Sequence, residues 1–389
     1  MKVLVYPHQL VMGGSQINAI ELAAAVRGRG HDVTVTAPPG PLVPMIAGLG
    51  LDYVPTPVVS DFPSARTARH LARLSRRLGA DLVHAYEWRP AIEATFGPHL
   101  LSRTPLLVTV LSMQVPGFLP RHVPLVVGTR ELAGQQGEQG RRVHLMEPPI
   151  DTARNRASDG AAARARWGFA ADEIVVSVVC RLTHELEKLE GVLAAMDAVE
   201  MIAERWKLRL LVAGGGEGLD EARRKAAAVN GRAGRALVVV AGEMLDPHDA
   251  YDAADVMLGM GSSALKGMAF SKPLIVQGTA GFWRLFEPAS TGLFLEQGWF
   301  GHGGGGATAL APLLDRLAGD PALRRGLGRL GRALVQRRFS LDHAADRLVD
   351  LYAGIVAARL PPGERLRSLS RCAARVAKFR LVAGWRAAR

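Results

Sequence analysis

The opening stretch MKVLVYPHQLVMGGSQINAIELAAAVRGRGHDVTVT, Met1 to Thr36, decides the fold. Val3 to Tyr6 reads as a buried strand and Gly13-Gly14-Ser15-Gln16 as a turn. Asn18, Glu21, Leu22 and Val26 then carry a helix that ends near Gly28 to Gly30, and Asp32 to Thr36 is the next apolar run. Strand, helix and strand at this spacing make a βαβ unit, which implies a parallel sheet covered by helices. Glycines in the first turn let the backbone approach a ligand, and free amides at the helix start favour an anion. Taken alone, Gly13-Gly14 fits a tight turn without a ligand equally well.

The alternation continues along the chain. Asp81 to His84, Leu106 to Val110 and Leu125 to Val127 extend the first set of strands. After an alanine- and arginine-rich interval, Asp151 to Arg166, a second set follows at Ile174 to Cys180, Leu208 to Ala213, Leu237 to Ala241, Val256 to Leu258 and Leu274 to Val276. The expected architecture is α/β, with two Rossmann-like doubly wound domains, residues 1–152 and 153–339, facing a central cleft. Such sheets bind ligands beyond the carboxyl ends of their strands. Ser340 is expected to cap a helix over 340–360 that returns to the first domain on an apolar stripe of Ala344, Ala345, Leu348, Val349, Leu351 and Tyr352. Gly301 to Gly306, interrupted by His302, reads as a flexible loop.

The chain has 389 residues, 48% of them apolar and 22% charged, enough to bury the cores of two domains. Cys180 and Cys372 are the only cysteines and lie far apart, which argues against a disulfide framework or a metal cluster and for a reducing compartment. The N-terminus is too short in apolar residues for a signal-peptide core, and no run of apolar residues is long enough to predict a membrane span. The net charge is +12, and +7 of it lies in residues 361–389, where eight Lys or Arg face Glu364 alone. There Leu366, Leu369, Ala373 and Val376 fall on one helical face and Arg367, Arg371, Arg375 and Lys378 on the other, giving a basic amphipathic tail. Docking on the first domain is favoured for it, contact with an anionic membrane comes next, and no nucleic-acid partner is expected because no recognised module supports one.

Arg181 follows the strand that ends at Cys180, and Lys188 lies seven residues on in Arg-Leu-Thr-His-Glu-Leu-Glu-Lys. Two cations at the carboxyl end of a strand can neutralise a diphosphate, Arg as a bidentate fork and Lys as a point charge. The alternative is surface pairing with Glu185, Glu187 or Glu190, which is worth little. Farther on, Ala213-Gly214-Gly215-Gly216-Glu217 ends one strand, Gly242-Glu243 ends another, and Ala250-Tyr251-Asp252-Ala253-Ala254-Asp255-Val256 leads into a third.

With these marks the chain resembles the family 4 glycosyltransferases of the GT-B fold from Lys2 to about Tyr352. Gly13-Gly14-Ser15-Gln16, Arg29-Gly30-His31-Asp32-Val33 and Asp81-Leu82-Val83-His84-Ala85 are similar to the family's opening blocks, on its acceptor side. The resemblance implies transfer of a sugar from a nucleotide-diphosphate sugar to an acceptor hydroxyl, with retention of anomeric configuration and without a metal. It implies Arg181 and Lys188 at the departing diphosphate. Gly13, Gly14, Ser15, Gly214, Gly215 and Glu243 complete the implied donor-binding set, and Ser262, Ser263 and Lys266, where the sequence departs from the family, are added to it as candidate donor contacts. The acceptor is open between a saccharide, a lipid-linked intermediate and a small molecule. A cytoplasmic enzyme, or one peripheral at the inner face of the membrane, is the expected setting.

The sequence also departs from the family. Where two glutamates eight positions apart are usual, it reads Gly259-Met260-Gly261-Ser262-Ser263-Ala264-Leu265-Lys266, with Lys266 in place of the second. Ser262 and Ser263 are expected to cap that helix. Leu111 stands near the family's histidine after Val110, which leaves His8, His84 and His122 in the first half, none with an assigned role as base. Gly278 to Phe282, with Trp283 and Glu287, offers a replacement contact to the sugar or, for Trp283, a packing role. Retaining transfer competes here with two other readings: a nucleotide-sugar epimerase of the same fold, and a non-catalytic homologue.

Overall fold

The computed structural model describes residues 1–59, 62–112, 114–358 and 362–387, with side chains to Leu381 in the last helix. Pro361 and Ala388–Arg389 of the basic tail lie outside the described residues. The chain divides into two compact units, Met1–Pro148 with Leu341–Arg389, and Pro149–Ser340. It therefore passes between them at residues 148–149 and 340–341, a few residues from the boundaries expected at 152 and 339.

The first unit is built on strands β1 (Lys2–Tyr6), β2 (Asp32–Ala37), β3 (Asp52–Pro55), β4 (Leu82–Tyr86), β5 (Leu106–Val110), β6 (Leu125–Val127) and β7 (Val143–Leu145). They form one sheet in the order β3-β2-β1-β4-β5-β6-β7. Every pairing is parallel. All residues of β4 and β5 are buried, as strands covered by helices on both faces must be. Strand order reverses between β1 and β4, and a doubly wound sheet opens a crevice at such a point. The short edge strands β3 and β7 have no counterpart in the sequence reading.

The helix Leu341–Ala357 packs Ala344, Ala345, Leu348, Tyr352 and Ile355 into the core beside β1 and the helix Gly14–Arg27. His84, central in β4, fixes it there. One ring nitrogen lies 2.7 Å from the Tyr352 hydroxyl and the other 2.7 Å from Thr109 Oγ1. Burial pushes the His84 pKa down to about 3, so the ring is neutral and acts as a structural pin, not a base.

The last helix, Pro362–Ala387, docks on the same unit. Its buried stripe is Leu369, Cys372 and Val376, while Leu366 and Ala373 of the expected face are exposed. Phe379 completes the contact, with its ring 5.3 Å from Phe118 and 5.9 Å from Trp88. Among the described residues no helix is long and apolar enough to cross a membrane.

The second unit repeats the plan with β8 (Ile174–Val179), β9 (Leu208–Ala213), β10 (Val238–Gly242), β11 (Val256–Gly259), β12 (Leu274–Gln277) and β13 (Trp283–Leu285). Their order is β10-β9-β8-β11-β12-β13, and only β13 runs antiparallel. Leu258 packs into one apolar cluster and its neighbour Met257 into another, so the period-two alternation of β11 fills cores on both faces. The reversal of order falls between β8 and β11. Cys180, which follows β8, and Cys372 in the first unit are both free thiols.

Candidate functional site

In the second unit, Arg181 leaves the carboxyl end of β8 and Lys188 is the first residue of the helix Lys188–Ile202. A tight turn, Glu185–Glu187, joins them, with Leu186 at φ 56° and Glu187 at φ 52°. Two successive left-handed residues with side chains cost roughly 1–3 kcal/mol each and need outside support. Gln277, at the end of β12, donates from Nε2 to the carbonyls of Glu187 (3.1 Å) and Lys188 (3.3 Å). The Ala280 amide donates to Glu187 Oε2 at 2.7 Å. So held, the turn brings Arg181 Nη2 (2.7 Å) and Lys188 Nζ (3.0 Å) onto a single oxygen, Oε2 of Glu185. Burial alone would raise the Glu185 carboxyl, but the two cations hold it below its ordinary value. The Lys188 side chain is 14% exposed, whereas those of Arg181 and Glu185 are 47% and 59% exposed. A half-exposed carboxylate shared by two cations is replaceable by a richer anion.

Gly214, Gly215 and Gly216 follow β9 and bind its neighbours by main-chain contacts. Gly214 N donates to Gly242 O (2.8 Å) at the end of β10, and Leu182 N, next to Arg181, donates to Gly215 O (2.8 Å). At Gly214, φ +154°, a Cβ would stand 1.7 Å from the Cys180 carbonyl oxygen. Glu243 is exposed, with its Cβ packed against Gly215. Gly214, Gly215 and Glu243 therefore lie beside the Arg181 loop.

Across the switch point, the helix Gly261–Ala269 leaves β11. Its N-cap is Met260, which has no side-chain cap, so the expected capping by Ser262 and Ser263 is corrected. Both serines lie inside the first turn, and Ser263 Oγ donates to Met260 O at 3.0 Å. Lys266 is half-buried in the last turn of the same short helix.

The glycine run at 301–306 is an ordered loop, against expectation. Thr279 N donates to Gly301 O at 3.0 Å, Gly303 N to Thr279 O at 3.0 Å and Gly304 N to Ala280 O at 2.8 Å. The absent side chains allow this approach: a Cβ on Gly278 would meet Gly301 O at 2.0 Å. Trp283 is a core residue at 8% exposure, and Glu287 caps a short turn with Ser290 and pairs with Arg316, so neither is a replacement sugar contact. Glu187 and Gln277 build the rim in fact; the sequence marks Glu187 only as a possible surface partner and Gln277 only as the end of an apolar run.

In the first unit Gly13 is the N-cap of the helix Gly14–Arg27 at the switch point, and Gly14 is exposed. Beside them stands a carboxylate with no forewarning in the sequence. Glu87, directly after β4 and 9% exposed, has φ +70°. It accepts from Ser15 Oγ (2.9 Å), Leu111 N (3.0 Å) and Ser112 Oγ (2.8 Å). These bonds tie together the loops that leave β1, β4 and β5. Glu87→Gln keeps the shape but removes the charge and one acceptor oxygen, a loss of about 1–3 kcal/mol. The first unit should then melt roughly 2–12 °C lower in calorimetry; an unchanged melt would show that the three loops are held by other contacts. His8 is depressed by burial and by Arg89, and His122 is stacked on His99; neither is among the hydrogen-bond partners given above for Glu87.

Comparison with known proteins agrees with this architecture. Residues 12–123 match the family described as Glycosyltransferase Family 4. A D-inositol 3-phosphate glycosyltransferase of Xylanimonas cellulosilytica is 26% identical over 397 residues, covering 88% of this chain and 91% of that protein. Among solved structures, Anabaena HepE in complex with UDP-glucose superposes with a TM-score of 0.73 at 15% identity, covering 91% of this chain and all of the other. A UDP-GlcNAc 2-epimerase from Neisseria meningitidis bound to UDP-GlcNAc gives 0.61 at 9% identity, covering 91% of this chain and 100% of its own. The family match over residues 12–123 and the whole-length relative make this chain similar to the family 4 glycosyltransferases, and its two parallel-sheet domains have the GT-B fold.

Proposed function

We propose that the enzyme moves a sugar from a nucleotide-diphosphate sugar to an acceptor hydroxyl with retention of anomeric configuration. The observation that carries this reading is the convergence of Arg181 and Lys188 on one oxygen of Glu185 beside the switch point of the second sheet. A diphosphate oxygen would take the place of that carboxylate oxygen. In the reaction, the bond between the anomeric carbon and the β-phosphate oxygen breaks. The acceptor oxygen bonds the same face of that carbon, and the departing phosphate oxygen takes the acceptor's proton. No side-chain carboxylate need act, so loss of the family's glutamates is tolerated; the protein supplies position and positive charge. Gly214, Gly215 and Glu243 would lie along the nucleoside, and Ser262, Ser263 and Lys266 line the helix on the other side of the crevice. Gly13, Gly14 and Ser15 belong to the other unit, on the acceptor side of the family's plan.

The complex of HepE with UDP-glucose makes UDP-sugars the first donors to screen, and the D-inositol 3-phosphate relatives make a phosphorylated polyol the first acceptor. Calorimetry with a panel of nucleoside diphosphates tests the donor site directly. The wild type should bind one of them, and Arg181→Ala should bind it about 10–100-fold more weakly, the worth of hydrogen bonds to a charged group. No binding by the wild type, or equal binding by the variant, would sink the proposal. Release of free nucleotide with no acceptor-linked product would turn the assignment to an epimerase.

A further inference from the structure

A cavity of about 120 Å³ lies in the first unit under the start of the C-terminal helix, lined by His99, Arg103, His122, Arg142 and Arg365 among apolar neighbours. This volume is several times what one water needs. The polar lining comes from separate elements. His99 ends the turn Thr95–His99, and Arg103 follows at φ +57°. His122 and Arg142 precede β6 and β7, and Arg365 comes from the C-terminal helix. No carboxylate lines the cavity. Among the described residues none of the three arginines has an acidic partner, although the protein pairs many others. The C-terminal helix is fastened over the cavity: Arg365 donates to the His99 carbonyl, and Ser368 Oγ accepts from the amides of Arg121 (2.9 Å) and His122 (3.3 Å).

The two histidines form a directed chain. His99 Nδ1 faces the Thr104 carbonyl at 3.0 Å and must carry a proton to donate to it. His99 Nε2 then accepts from His122 Nε2 at 2.8 Å. The remaining nitrogen, His122 Nδ1, is buried without a partner, and His122 as a whole is 6% exposed. In this tautomer His122 Nδ1 is a buried lone pair, which the P–OH of a monoprotonated phosphate would satisfy while its charged oxygens face the half-buried Arg365 and the exposed Arg103 and Arg142. Burial, and then the neighbouring positive charge of Arg103, pulls Arg365 below its ordinary value. Burial also pulls both histidines to about 4, with Arg365 contributing.

We propose that this cavity is a binding site for a tetrahedral oxyanion, phosphate or a phosphate monoester, separate from the donor and acceptor sites. Separation follows from the sheet. Leu106, at the amino end of β5, lines the cavity, while Leu111, beyond its carboxyl end, bonds Glu87. At about 3.3 Å per residue the two ends lie roughly 15 Å apart. A free phosphate and a phosphate-bearing lipid headgroup share the required chemistry.

The test uses the full chain in an Arg181→Ala, Lys188→Met background, so that the two donor-site cations do not contribute. Inorganic phosphate is titrated by calorimetry at constant ionic strength set with chloride. One site is expected, and Arg142→Gln with Arg365→Gln should weaken it at least tenfold. A variant that does not fold would lose its melting transition, in which case Arg103→Gln, on an exposed loop residue, serves instead. In a second measurement, saturating sulfate, which does not titrate between pH 5 and 8, should raise the pH at which the His122 imidazole protonates in NMR spectra. Absence of phosphate binding, equal binding by the variants, or an unmoved His122 titration would overturn the proposal. Co-sedimentation with vesicles containing phosphatidic acid, competed by phosphate and lost in the variants, assigns the site to a headgroup. Phosphate binding without co-sedimentation assigns it to the free ion.

Discussion

Lys188→Met is expected to lower kcat/KM about a thousandfold, with most of the loss in kcat. The substitution keeps the length of the side chain and removes only the ammonium. The Lys188 side chain is 14% exposed and starts from the first position of the helix Lys188–Ile202, so it is already oriented before a donor arrives. Charge on the leaving diphosphate grows as the bond to the anomeric carbon breaks. A fixed cation therefore stabilises the transition state more than the bound donor. Loss of one such preorganised group elsewhere costs about 10²–10³ in turnover, roughly 2.7–4 kcal/mol. In the proposed mechanism Arg181 would act on the same leaving group, so the double variant should be much less impaired than the product of the two single losses. Steady-state rates with the first donor that turns over decide the matter. A loss below about fivefold, or one confined to KM, would show that Lys188 binds the donor without assisting departure.

How much of this was legible in the sequence follows from where the information resides. The long strands were readable because their apolar runs are covered on both faces, as in β4, β5 and β9, and their reading needs no knowledge of neighbours. The strands missed, β3, β7 and β13, are short edge strands interrupted by Pro55, His144 and Arg284. Their strand character comes from pairing on one side and not from their own pattern. Arg181 and Lys188 were legible as cations in a strand-end loop; the carboxylate that gathers them was legible only as a possible surface partner. Glu87 and Gln277 were not legible at all, and Glu187 only as a possible surface partner, because the partners they hold lie 72, 90 and 93 residues away in the chain. The glycine run at 301–306 misled because glycine has two uses. Composition suggested freedom, whereas these glycines let one loop lie backbone to backbone against another.

Gly214→Ala tests the same property of glycine where it has the largest effect. The added Cβ would stand 1.7 Å from the Cys180 carbonyl oxygen, in a backbone conformation, φ +154°, that residues with side chains rarely adopt. The obstacle is main chain, and it cannot turn aside. Cys180 N is bonded to Ala213 O (3.1 Å), and Gly214 N to Gly242 O (2.8 Å), so relief requires the exits of β8, β9 and β10 to separate. A destabilisation of at least about 3 kcal/mol is expected, from strain and lost hydrogen bonds together. For a unit of this size that lowers the melting temperature by roughly 6–12 °C. Gly231→Ala supplies the control: it lies in the helix Leu219–Ala233 with nothing within 4 Å of an added Cβ, and should be neutral or gain about 0.5–1 kcal/mol. If the two variants melt alike, the close approach at Gly214 is wrong. If Gly214→Ala melts early but keeps a folded fraction, that fraction should also bind nucleoside diphosphate poorly. Arg181 lies between Cys180, which the new methyl would displace, and Leu182, whose amide is bonded to Gly215. A shift of about 1 Å in a charge-positioning residue is enough to cost two orders of magnitude in rate.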